Sequence, residues 1–164
     1  YTKKAGFIVA VKGFHGKTMG SLSMIGKKDY REPVGQLYGG PVYHVPYGDA
    51  EAVERQLEIC ETVGVGIAAV MMEPDSERLV RSSHPMISGH VYEKRQKNMV
   101  SSSSLMKFRL VSDAGEDVVI DHWGVVPDIM TMGKALGGGV MPISAFVSTE
   151  KIWQCMMYPN PFIH

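Results

Sequence analysis

Apolar residues gather in short continuous runs near the two ends of the chain, separated by polar stretches with helical spacing. Phe7, Ile8, Val9, Ala10 and Val11 form one such run, closed by Gly13. A run of this length without polar alternation predicts a strand buried on both faces, as in a parallel sheet. Residues 18–25 then predict a short helix. Residues 42–47 predict a second strand, which Pro46 confines to an edge or a terminus because proline gives no ladder donor. Residues 49–63 carry the strongest helical pattern: Asp49 can cap the start, Val53, Leu57 and Cys60 share one face, and Gly64 can close the end. Residues 66–72, Gly-Ile-Ala-Ala-Val-Met-Met, predict a buried strand that stops at Glu73 and Pro74. Strand, helix, strand, helix, strand is the order of an α/β domain with a mainly parallel sheet and flanking helices.

The same style resumes after residue 120. Residues 128–132 predict a strand leading into Gly133 and Lys134, residues 143–147 another strand, and residues 149–157 a helix. The stretch from 75 to 120 matches neither flank. It holds Ser101, Ser102, Ser103 and Ser104 in a row and a basic cluster at Lys94, Arg95 and Lys97, with no sustained period of 2 or 3.6. Taken alone it reads as a polar insertion or loop. A structureless loop of that length is uncommon inside a compact domain, so it calls for another explanation.

Composition narrows the function classes. At 164 residues the chain has the length of about one domain. Seventeen basic side chains balance seventeen acidic ones, which argues against a nucleic-acid or anionic-membrane binder acting through bulk charge. A hydrophobic content of 45% is too high for a wholly disordered chain. No apolar run approaches the ~20 residues of a membrane span, and no signal-peptide pattern is present. Cys60 and Cys155 lie in no disulfide or metal spacing, so a cytoplasmic protein is expected. The six histidines show no ligand spacing, and no metal site is expected. The chain begins at Tyr1 rather than Met, and is expected to be a fragment.

Two short motifs invite attention. Gly64, Gly66 and Ala69 satisfy a dinucleotide-binding pattern, but that pattern needs a strand before the glycines and a helix after them, the reverse of the order here. Gly133-Lys134 lacks the earlier glycine and the following Ser/Thr of a phosphate loop. Lys134 nonetheless stands after a strand, among Met132, Ala135, Leu136 and the triple glycine Gly137, Gly138 and Gly139. An amine enclosed by apolar, Gly-lined walls is desolvated, which favours its neutral, nucleophilic form. Such a lysine suits Schiff-base chemistry with a carbonyl cofactor.

Three stretches together resemble the class III aminotransferases, which depend on pyridoxal phosphate (PLP). They are Phe14-His15-Gly16-Lys17-Thr18 after the first strand, Met72-Glu73-Pro74 after another, and HWGVVPDIMTMGKALGGGVMPISA from His122 to Ala145. Asn160 to His164 resembles the segment before that family's phosphate-binding threonine. The likeness is to the putrescine and acetylornithine type. It implies an incomplete fold-type I large domain over residues 1–164, and a homodimer as parent. It further implies that Lys134 bonds the cofactor, that Phe14 stacks on the pyridine ring with His15 beside it in the cofactor site, and that Glu73 lies on the substrate side.

The resemblance lapses after Glu73-Pro74, where the family continues Gln-Gly-Glu one residue later, then a helix, then a buried strand ending in Asp-Glu. Reading the coding bases one position earlier restores it. The triplet spanning Met106 and Lys107 is then GAA, glutamate, and that spanning Leu105 and Met106 can be GAU, aspartate. Allowed codons from Asn98 to Ala114 give YGVLLIADEVQTGFGR, the missing strand in place. The segment from about 75 to 120 is therefore read as frameshifted. Leu105 then stands where the family's aspartate pairs with the pyridine nitrogen, and Phe108 where a glutamine faces the phenolic oxygen. Serines replace three large aliphatic side chains. Burying each is worth roughly 1.5–3 kcal/mol, so the loss is about 5–9 kcal/mol against a typical ~5–15 kcal/mol of total stability. Poor folding and no activity of this chain by itself are expected. The coding DNA tests the reading, since a single incompatible codon excludes it.

The function expected from the resemblance is transfer of an amino group from a diamine or ω-amino donor to a 2-oxo acid. Two alternatives stay open: a decayed gene product with no specific ligand, and another PLP enzyme of the same class, a racemase or decarboxylase.

Overall fold

The computed structural model describes residues 1–34, 40–73, 106–110 and 127–157. Its centre is a six-stranded sheet made of β1 (Gly6–Ala10), β2 (Val42–Val45), β3 (Ile67–Met72), β4 (Met106–Leu110), β5 (Ile129–Met132) and β6 (Ala145–Ser148). The spatial order is β2-β1-β3-β4-β5-β6. Every pairing is parallel except the last, where β6 runs against β5. Among the described strands β2 lies at one edge, immediately before Pro46, as the proline requires.

The apolar runs form strands because both faces of the sheet are covered. Ile8 faces one side, where it packs with Val45, Val53, Cys60, Ile67 and Val70. Val9 faces the other, with Met24 and Met71. β3 contributes both Ile67 and Val70 to one cluster although they are three residues apart. The pairing of β1 with β3 jumps from Gly6↔Ile67 to Phe7↔Ala69. Ala68 is thus the extra residue of a bulge, which resets the alternation of faces.

Helix α3 (Ala50–Thr62) covers the Ile8 face. Asp49 caps it by accepting the Ala52 N–H at 2.8 Å. Gly64, at φ +74°, ends it in the left-handed conformation that favours glycine. Val53 and Cys60 are buried and Leu57 packs against them, so the face read from the sequence is the one that meets the sheet. The opposite face is met by Met24, which follows the short helix α1 (Met19–Ser23). That helix is shorter than its pattern because Ser21 and Ser23 turn their hydroxyls onto the carbonyls of Thr18 and Met19, both at 3.1 Å. Helix α2 (Lys28–Arg31) and the 3-10 turn Glu32–Val34 were not expected; three charged residues and a single aromatic, Tyr30, make no apolar period. Helix α4 (Glu150–Met157) buries Ile152.

β4 lies inside the stretch that showed no periodicity, and fills the sheet position between β3 and β5. The serine run at 101–104, the basic cluster, Leu105 and the segment 160–164 lie outside the described residues. No helix among the described residues is long and apolar enough to cross a membrane.

Candidate active site

Parallel strands all end on the same side, and open α/β sheets bind ligands outside those carboxyl ends. Three of the four residues singled out by sequence stand there. Phe14 follows β1 by four residues, Glu73 follows β3 directly, and Lys134 comes two residues after β5. With strands ~4.8 Å apart, β5 lies about 10 Å across the sheet from β3.

The turn after β1 is tightly built. Gly13 donates its N–H to Ala10 O at 2.9 Å, and Gly26 donates to Gly13 O at 3.2 Å. A Cβ on Gly13 would stand 2.8 Å from His15 Nε2, so the close approach of that ring requires glycine. A Cβ on Gly26 would collide with the Val11 carbonyl. Phe14 donates its backbone N–H to Glu73 Oε2 at 2.9 Å. Its ring stays 39% exposed and meets Tyr30 edge-on, with centroids 6.3 Å apart. Tyr47, beyond β2, donates its hydroxyl to the Glu73 carbonyl at 2.9 Å. Nothing in the sequence pointed to Tyr47, because its partner lies 26 residues away on a strand that is not its neighbour.

His15 points inward. It is 6% exposed, and neither ring nitrogen has a hydrogen-bond partner among the described residues. Burial, and then the nearby His44, push its pKa down to about 4, so the ring is neutral at neutral pH. His44 is itself lowered, by burial and then by the Arg31 charge, against a 3.3 Å contact with the Ile25 carbonyl that acts the other way.

Lys134 departs from its expectation. The sequence expectation encloses it with Met132, Ala135, Leu136 and the triple glycine, but the lysine is exposed, as is Leu136, and Met132 is only half-buried. The reason is geometric: Lys134–Gly137 is a 3-10 turn that projects past the end of β5, and the glycines behind it bring no side chains to cover it. Desolvation by these neighbours is therefore not what distinguishes Lys134. Its backbone φ is +47°, in the left-handed region that costs an L-residue about 1–2 kcal/mol, a conformation that Lys3 shares at +56°. Strain of this kind gathers at functional sites. Among the described residues no group of His, Cys, Asp and Glu could hold a metal ion.

The mainly parallel sheet, with α3 on one face and Met24 on the other, is that of an α/β domain, and its solved structural neighbours make it part of a fold-type I large domain. Comparison with known proteins agrees. The family described as Aminotransferase class-III matches residues 111–161. A putrescine aminotransferase from Pectobacterium atrosepticum is 33% identical over 166 residues, covering 96% of this chain and 34% of that protein. The ornithine aminotransferase from Toxoplasma gondii superposes with a TM-score of 0.74 at 23% identity, over 99% of this chain and 36% of that one. An amine transaminase from an uncultivated Pseudomonas species, solved in its PLP-bound form, gives 0.72 at 18% identity, over 98% and 41%. These two structures speak for the fold alone. The chain belongs to the class-III aminotransferases, and it spans about a third of the length of the curated relative it matches.

Proposed function

We propose that this chain is part of a PLP-dependent aminotransferase that moves an amino group from a putrescine-like diamine or ω-amino donor to a 2-oxo acid. The observation that carries the reading is the position of Phe14, Glu73 and Lys134 behind the carboxyl ends of β1, β3 and β5. A half-exposed aromatic ring on a fixed turn and an exposed amine across the sheet suit a flat aldehyde cofactor. When bound, PLP supplies an aldehyde that bonds amines and a pyridine ring that withdraws electrons from the reacting carbon.

Lys134 Nζ would hold that aldehyde carbon. As a free amine, the same nitrogen would carry a proton from the substrate carbon to the cofactor carbon, as general base and then acid. Phe14 would lie against the pyridine face, and His15 would support the cofactor site from the buried side of the turn as a neutral ring. Glu73 stands toward the substrate. The family likeness carries a homodimer, and the exposed apolar side chains of Val140, Met141 and Phe146 support a covered edge there. Cys60 and Cys155, both free thiols, support a reducing, cytoplasmic setting.

The test is the intact, frame-restored gene product with PLP, putrescine and 2-oxoglutarate. Glutamate formation is expected, and none from the present chain alone. Racemised or decarboxylated product would favour another reaction of the same class, and a protein that takes up no PLP would favour a decayed gene product.

A further inference from the structure

The carboxylate of Glu73 is engaged with the protein itself. Its Oε2 accepts the Phe14 N–H at 2.9 Å, and its own carbonyl accepts the Tyr47 hydroxyl at 2.9 Å. The three residues come from the ends of β1, β2 and β3, and β1 lies between the other two strands. Tyr47 therefore reaches across the end of β1 to Glu73, and Glu73 reaches back to the turn that β1 carries. The turn is held from below by Gly13 on Ala10 and Gly26 on Gly13. The Phe14 N–H, next in the chain after Gly13, takes the carboxylate as its acceptor.

We infer that Glu73, tied by Tyr47, is a positioning residue that fixes the Phe14 ring for the cofactor. This deepens the PLP reading above and rests on it. An amide–carboxylate bond is charge-assisted and directional. It sets the direction of the Phe14 Cα–Cβ bond, and thereby the plane in which the ring meets a flat ligand. Tyr47 fixes the backbone from which the carboxylate reaches. Glu73 thus serves the substrate side through the ring rather than by touching the substrate.

The test uses the full 164-residue chain and two readouts. Amide hydrogen exchange at Phe14, followed by NMR, reports the clamp without cofactor. PLP titration, followed by its visible absorbance band, reports the consequence. Glu73→Ala is expected to speed exchange at Phe14 about tenfold, the factor of one net hydrogen bond, and to weaken PLP binding. Glu73→Gln keeps an oxygen acceptor in place and should restore both. Exchange at Ile8, within β1, should not change, which shows that the fold is intact. Tyr47→Phe should give a smaller change in the same direction. Unchanged exchange at Phe14 in Glu73→Ala overturns the clamp. Faster exchange with unaltered PLP binding, in a chain where Phe14→Ala weakens binding, overturns the positioning role. If the parent chain takes up no PLP while Phe14 exchange responds as expected, the functional reading has failed and the positioning role with it; the clamp is then structural only.

Discussion

Acidification should loosen this fold through His15. The ring is neutral and buried in the folded chain, with a pKa of about 4 against 6.5 when unfolded. Between those values the unfolded chain binds a proton that the folded chain refuses, so stability falls as pH drops through 6.5 and levels off near 4. Lowering the pKa from 6.5 to about 4 makes up to about 3 kcal/mol of stability depend on pH, of which about 2 kcal/mol is lost by pH 5. His44 is lowered as well and adds to the slope in the same direction. Carboxylates titrate in part of this range, so the comparison must be internal. His15→Leu removes the titrating ring and the two unpartnered nitrogens and keeps an apolar volume. Urea unfolding followed by far-UV circular dichroism at intervals from pH 7.5 to 4 should show a smaller loss in His15→Leu, by about 3 kcal/mol at the acid end. The variant should also be the more stable of the two at pH 7.5. Parallel pH profiles for the two proteins, or a His15 ring proton that titrates near 6.5 by NMR in the folded chain, would refute the reasoning.

The strained backbone at Lys134 gives a second outcome. Lys134→Gly should be about 1 kcal/mol more stable than Lys134→Ala, because only glycine enters the left-handed region freely, while both lose the PLP absorbance band. Equal stabilities would mean that the turn relaxes without strain. Asp49→Ala should cost about 1 kcal/mol through the lost cap of α3, and Asp49→Asn should recover most of it. Thermal melts of the three proteins distinguish a cap from the exposed ion pair with Arg55, which Asn would not restore.

Much of the sheet was legible in the sequence, because strands buried on two faces leave continuous apolar runs. Ile8, Val9 and Val70 stand inside the structure as that pattern demands. The helix after Asp49 was legible in its cap, its face and its terminal glycine together. What could not be read was long-range or unpatterned. Tyr47 meets Glu73 only because β2 and β3 flank β1. α2 is only four residues long, three of them charged. β4 does alternate, Met106, Phe108 and Leu110 with Lys107 and Arg109 between them, but five such residues are a short signal inside a long stretch without a sustained period, and the strand is held in the sheet by β3 and β5 on either side. Near the proposed site, the strand before Lys134 was legible, whereas the enclosure expected around the lysine is not found. Apolar neighbours in sequence need not be walls in space: the 3-10 turn leaves Leu136 exposed together with the lysine.

Trapping the cofactor addresses the functional reading most directly. The chain is incubated with PLP, reduced with borohydride and mapped by peptide mass spectrometry. Phosphopyridoxyl label is predicted on Lys134 ahead of the other lysines, and its loss in Lys134→Ala. Label spread evenly over the surface lysines, with Lys134 not favoured, would contradict it.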